Sequence, residues 1–156
     1  MSTASQPALA QVLLASARHI DQVLNGASLT DCLAQTASAV RAASQAHSFY
    51  CLRHLGLAQE LRRLLVPRQP KDGVLDALIL QSLLLTDVAI RFQANKDAFA
   101  DRPETPVYSV HTVVDQAVEV AQSQRALRPF KNLLNAVLRR FIRERTQLLA
   151  QALKKP

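Results

Sequence analysis

Residues 77–90 read ALILQSLLLTDVAI. Drawn as a helix, this segment carries apolar side chains on nearly every side, and a helix that is apolar all round is normally buried in a protein core. Asp72 precedes the segment as a candidate N-cap. The sequence therefore predicts a long helix over about residues 72–92 at the centre of a bundle.

Five further helices are predicted around it from apolar residues that recur every three or four positions. Asn25-Gly26 is predicted to end the first of them, as a left-handed cap would. Pro67 and Pro70 end the third, and Pro129 suits the first turn of the last. The charged segment 93–107, which holds two prolines, is predicted to be a loop. The five helices cover about residues 6–24, 28–40, 42–66, 109–122 and 129–153.

The composition fits a single all-α domain. The chain has 156 residues, of which 49% are hydrophobic and only three are glycine. Two cysteines are too few for a disulfide framework, so reduced thiols in a cytoplasmic protein are the simpler interpretation. No uninterrupted apolar run reaches the ~18 residues of a membrane span, and the N-terminus lacks the pattern of a signal peptide. We therefore predict a cytoplasmic protein with no membrane segment.

The positive charge of the chain is concentrated near its C-terminal end. Residues 125–156 carry nine basic side chains and one acidic side chain, Glu144. The preceding 124 residues hold ten basic and eleven acidic side chains, so they are close to neutral. Such a local excess is typical of a surface that faces a polyanion, which means nucleic acid first and an anionic membrane second.

The last predicted helix divides into two faces. An inward apolar stripe follows from steps of three, four and seven residues, and comprises Phe130, Leu134, Val137, Phe141, Leu148 and Ala152. On the opposite face, arginine would offer paired donors to phosphate oxygens, and asparagine would add neutral donors for a phosphate or a base edge. We therefore predict an RNA-contacting surface made of Arg125, Arg128, Lys131, Asn132, Asn135, Arg139, Arg140 and Arg143.

A metal site and a catalytic site are weighed and set aside. His47, Cys51 and His54 share one helix face, but no fourth ligand is in view, so we predict no metal. Ser109, His111 and Asp115 invite comparison with a nucleophilic triad. Nothing in the sequence supplies an oxyanion hole, and Ser109 or His111 is better explained as a helix start, so we predict no catalytic residue in this chain.

Two aromatic residues, Phe99 and Tyr108, flank the predicted loop. They have the chemistry to stack on nucleic-acid bases. With seven aromatic residues in all and no tryptophan, an extended stacking platform is not expected. We predict instead that the two side chains clamp the loop to the bundle.

Four stretches together carry a family resemblance: FYCLR at 49–53, ALILQSLLLTDVAIR at 77–91, VVDQAVEVAQS at 113–123 and PFKNLLNAVLRR at 129–140. Their order and spacing resemble NusB-like domains, whose final helices show "xxEAVExAK" and then "K-x-x-x-N-[GA]-V-L". Free-standing NusB usually has Asp after that Leu. Arg139-Arg140 at this point is more similar to the N-terminal domain of Sun-type (Fmu, RsmB) ribosomal RNA cytosine-C5 methyltransferases.

The resemblance implies a NusB-like bundle of two packed three-helix subdomains, about 1–70 and about 71–156. It implies an RNA-binding N-terminal domain of a 16S ribosomal RNA methyltransferase, with ribosomal RNA and a C-terminal catalytic domain of the same polypeptide as partners. The cofactor S-adenosylmethionine would belong to that missing domain. Gly26, Gly56 and Gly73 form no phosphate-binding loop, so no cofactor is predicted for this chain itself.

The chain departs from the family pattern at two places, and two alternative functions are kept beside the one that the resemblance implies. Tyr50 stands where the family has Gly, and the 93–107 loop is longer than usual. One alternative function is a free-standing antitermination factor of the NusB type that binds nascent RNA. The other is a membrane-surface amphipathic helix, which would require the apolar stripe of the last helix to be exposed.

Overall fold

A computed structural model describes residues 8–154, and within that range the chain is all-helical. The predicted start of the first helix at Gln6 lies outside the described residues. A 3₁₀ turn at Arg128–Phe130 leads into the last helix. The seven α-helices are α1 (Leu9–Leu24), α2 (Leu29–Ala34), α3 (Ser38–Arg53), α4 (Leu55–Leu65), α5 (Gly73–Ala94), α6 (Val110–Ser123) and α7 (Lys131–Leu153).

Helix α5 is the centre of the bundle, as its sequence predicts. Every residue from Leu75 to Ala89 is buried, and α5 packs against α1, α3, α4, α6 and α7. The helix starts where expected, because the Asp72 side chain accepts hydrogen bonds from the backbone N–H groups of Val74 and Leu75 at 2.9 and 3.0 Å.

Helix α5 also has the length and mean hydropathy of a membrane span, although its sequence contains no uninterrupted apolar run of that length. Among the residues that the structure describes, α5 is long and apolar enough by length and composition to cross a membrane. Of its most apolar window, 83% is buried inside the bundle. Burial against other helices is the pattern of a core helix in a soluble protein.

The predicted third helix is wrong in one respect, because it is two helices. His54, with φ −111° and ψ 25°, separates α3 from α4. Helix α3 packs mainly on α1, whereas α4 packs on α5 and α7, and one straight helix cannot follow both sets of partners. The predicted second helix also ends early, since α2 stops at Ala34 and Val40 belongs to α3. Tertiary packing decides these boundaries, and propensity alone does not record it.

The turn after α1 is the one place where a glycine is required by its backbone. Gly26 has φ of +103°, the only positive φ among the described residues. The N–H of Ala27 donates to the carbonyl of Gln22 at 2.9 Å, and the N–H of Gly26 donates to that of Val23 at 3.0 Å. These two hydrogen bonds form a Schellman motif. They confirm the left-handed cap that is predicted at Asn25-Gly26.

The inward stripe of α7 is confirmed except at its first member. Leu134, Val137, Phe141, Leu148 and Ala152 are all buried. Phe130, in contrast, is 40% exposed, and its assignment to the core is wrong. It lies in the 3₁₀ turn that precedes α7, where the angular step per residue differs from that of the α-helix. A kink at Glu144 (φ −114°, ψ 19°) also interrupts α7.

Phe141 offers a direct test of the core assignment. Phe141 is fully buried in the cluster that joins α7 to the rest of the bundle. Replacing it by Ala should lower the free energy of unfolding by about 3–5 kcal/mol, because removal of the ring leaves a cavity. Urea melts measure this. The matched control is Phe49→Ala, at a site that is 44% exposed, which should cost much less. Equal losses for both variants would contradict the assignment.

Candidate nucleic-acid interface

A polar groove of about 250 Å³ lies between α6 and α7. Four of the predicted RNA-contacting residues line it from α7: Lys131, Asn132, Asn135 and Arg139. They meet there because side chains three or four residues apart share one face of a helix. The groove thus brings two cationic and two amide side chains to one surface.

The opposite wall of the groove comes from α6. His111 and Asp115 line it, one turn apart, together with Val114 and Val118. From the sequence, His111 and Asp115 are weighed as members of a catalytic set, and His111 also as a helix start, but their place in this groove is not predicted. Their spacing of four residues could have indicated a shared face, but only the packing of α6 on α7 shows which helix they oppose.

The other four predicted contact residues lie outside the groove. Arg128 donates from Nε to the backbone carbonyl of Gln122 at 3.0 Å. Arg140 and Arg143 both approach the Glu144 carboxylate, with N–O distances of 3.3 and 3.9 Å. Arg125 is exposed in the turn after α6. The two pairs with Glu144 are partly exposed, and exposed ion pairs contribute little to stability.

Arg145 has a different role from the rest of the basic segment. Its Nη2 and Nε lie 2.7 and 2.8 Å from Oδ1 of Asp87, a carboxylate buried in α5. Arg91 approaches the other oxygen of Asp87 at 3.7 Å. Arg145 therefore attaches α7 to the core, and the Asp87 carboxylate balances its charge inside the molecule.

His47 is committed to the interior and has no free nitrogen for a metal. Its Nδ1 is 2.9 Å from Oε1 of Gln81, and its Nε2 is 2.9 Å from the hydroxyl of Tyr108. Burial raises the pKa of the neighbouring Cys51 thiol to about 12, so the thiol stays protonated. His54 packs against the ring of Tyr50, at 4.4 Å between centroids. Among residues 8–154, no three His, Cys, Asp or Glu side chains are placed to hold a metal.

Three further interpretations made from the sequence are confirmed. The Ser109 side chain caps α6, accepting a hydrogen bond from the N–H of Thr112 at 3.1 Å. Tyr108 clamps the end of the long loop through its bond to His47. Phe99 packs against the core beneath the guanidinium of Arg91, which lies 4.6 Å from its ring centroid.

Comparison with protein-family models, curated proteins and solved structures finds no match for this chain. The family resemblance therefore rests on the four sequence stretches alone. Within the last of them, burial separates two kinds of residue: Val137 and Leu138 are buried, whereas Lys131 and Asn135 line the groove.

The buried position of His47 predicts a dependence of stability on pH. Burial lowers the pKa of His47 to about 4, below its ordinary 6.5. Between these values the unfolded chain binds a proton that the folded chain does not, so stability falls as the pH falls through this window. From pH 7.5 to 4.5 this contributes a loss of roughly 2–3 kcal/mol.

The measurement is a set of urea melts at both pH values for the wild type and for His47→Gln. Gln cannot titrate, so the variant should lose less stability on acidification. His19 and His54, whose pKa values burial also lowers, remain in both proteins and supply the common background. Equal losses in the two proteins would show that His47 does not titrate as its surroundings indicate.

Proposed function

We propose that the chain is an RNA-binding domain that holds ribosomal RNA against the groove between α6 and α7. The observation that supports this most directly is the meeting of Lys131, Asn132, Asn135 and Arg139 in one groove. Lysine and arginine are the side chains that neutralise phosphates, and asparagine can donate to a phosphate or read a base edge. The surrounding segment adds further cations on the same helix.

The size of the groove favours a strand over a small molecule. Its volume of about 250 Å³ lies below the ~300–1,000 Å³ of typical ligand pockets. Its lining is polar and charged apart from Val114 and Val118, and it opens to solvent. A nucleic-acid strand that lies across the groove, with phosphates at its two cations, uses such a site better than an enclosed ligand would.

The wider assignment follows from the resemblance. We infer a NusB-like domain of two three-helix subdomains that divide near residue 70, in a cytoplasmic cytosine-C5 methyltransferase of 16S ribosomal RNA. A catalytic domain of the same polypeptide would bind S-adenosylmethionine and carry out the transfer. Arg139 favours this over the antitermination factor, because free-standing NusB usually has Asp there, and an Asp would remove one of the two groove cations.

Removing the groove cations should weaken RNA binding without unfolding the domain. For Lys131→Ala/Arg139→Ala we expect affinity for single-stranded RNA to fall by about tenfold or more. The log–log slope against salt should become shallower by about 1.4, at about 0.7 for each of the two phosphates that the variant no longer neutralises. Stability should hold, because neither side chain is buried and Ala favours helix. Fluorescence titrations at several salt concentrations, beside urea melts, measure both properties.

The matched control removes the same charge elsewhere. Arg41 and Lys96 are exposed and lie outside α6 and α7. Arg41→Ala/Lys96→Ala should change RNA affinity little. Equal weakening by both double variants would mean that only net charge matters and that the groove is not the binding surface. Early unfolding of the groove variant would mean that its cations support the bundle.

The chain on its own should neither bind S-adenosylmethionine nor methylate RNA. Its three glycines form no nucleotide-binding loop, and both cysteines lie in helices, Cys51 being buried with a raised pKa. Calorimetry with the cofactor and a tritium-transfer assay on ribosomal RNA test this. A clear signal in either assay would contradict the division of roles between this domain and a separate catalytic domain.

A further inference from the structure

An apolar groove of about 580 Å³ lies beside the start of α7, outside the polar groove. One wall is the connection between α4 and α5, and the other is the 3₁₀ turn and first helical turn of α7. Its apolar lining comprises Leu65, Val66, Pro67, Pro70, Leu75, Phe130 and Leu133.

Two large apolar side chains are left exposed at this groove. Phe130 is 40% and Leu133 is 39% exposed. Leu24, Phe49 and Leu153 are the other large apolar residues exposed within residues 8–154, and none of them lines this groove. Clustered exposure of apolar side chains in a concave site marks an interaction surface, whereas single exposed residues need no explanation.

We propose that this groove docks a short amphipathic segment of a partner protein, with apolar anchor residues flanked by acidic ones. The volume accommodates two or three apolar side chains. At the rim, Arg68 and Lys71 are exposed, and the described residues offer neither of them an ion pair. Asp72, the rim carboxylate, is already engaged as the N-cap of α5. The rim therefore holds two cations against one carboxylate that faces the N-terminus of α5, and this excess of positive charge around an apolar floor complements acidic flanks.

The same observations disfavour other occupants. A second copy placed face to face would bring Arg68 and Lys71 of both chains together, and like charges repel. A membrane takes up side chains that protrude, whereas this site is concave. A nucleic-acid base would stack on Phe130 but would find few polar groups on the aliphatic walls to bind its edges.

The docking site would lie next to the RNA surface. Phe130 and Lys131 are consecutive residues, and they line different grooves on either side of the start of α7. Partner binding does not depend on RNA binding in this proposal, so the two can fail separately.

The experiment is a selection from a displayed library of random 16-residue peptides on the intact chain. Selected peptides should share apolar residues flanked by an excess of Asp and Glu. Synthetic versions of the selected peptides should bind the Phe130→Ser and Leu133→Ser variants about tenfold or more weakly than the wild type, because each change truncates a side chain that lines the docking groove. They should bind Phe49→Ser, an equally exposed Phe elsewhere, like the wild type. Replacing the acidic residues of the peptide by Lys should also abolish binding.

Four results would overturn the proposal. These are selection of peptides without the acidic and apolar pattern, peptides that bind Phe130→Ser like the wild type, a self-association in sedimentation that Phe130→Ser abolishes, and binding to vesicles of phosphatidylglycerol that the same change abolishes. A loss of RNA affinity in Phe130→Ser with no loss of peptide affinity would assign Phe130 to base stacking instead. Thermal melts of both serine variants show whether each remains folded. If Phe130→Ser is unfolded, Leu133→Ser provides the test.

Discussion

The burial of α5 on all sides is the constraint on which the rest of the structure depends. A helix with no solvent-facing side gains stability when its polar side chains find partners inside the bundle, because an unpaired buried polar group costs about 1–3 kcal/mol. Gln81 meets this demand twice, donating from Nε2 to the carbonyl of Leu13 in α1 and bonding through Oε1 to His47 in α3. Asp87 meets it through Arg145 in α7. Each of these two polar residues of α5 thereby fixes the position of neighbouring helices.

Asp76, a third polar residue of α5, forms an ion pair with α4. Its carboxylate lies 3.2 Å from Nε of Arg62, and both side chains are nearly buried. Burial raises the pKa of Asp76 while the Arg62 charge lowers it, so the ion pair offsets part of the cost of desolvating the carboxylate. Apolar contacts could be satisfied by several rotations of the helices around α5, whereas these polar pairs select one.

How much the sequence could predict follows from this distinction. The central helix, its Asp72 cap, the Gly26 turn and the inward stripe of α7 beyond Phe130 depend on local pattern, and all are confirmed. The break at His54 and the kink at Glu144 depend on which helices lie alongside, and no spacing rule contains that information. The exposure of Phe130 depends on the 3₁₀ turn before α7, where the angular step per residue differs from that of the α-helix. For the same reason Lys131 and Arg139 were predicted to share a face, but the opposing His111 and Asp115 of α6 were not.

The nine basic side chains of residues 125–156 are not equivalent, because carboxylates pair with some of them and not with others. Arg145 is neutralised by a buried carboxylate, and Arg140 and Arg143 share Glu144. Lys131 and Arg139, in contrast, line the groove opposite Asp115, and neither has an ion pair among the described residues. The N-terminus of α7 adds positive charge at this end, since a helix N-terminus carries about half a positive charge. In the proposed function, a phosphate of the RNA would be drawn to that end, next to the amides of Asn132 and Asn135.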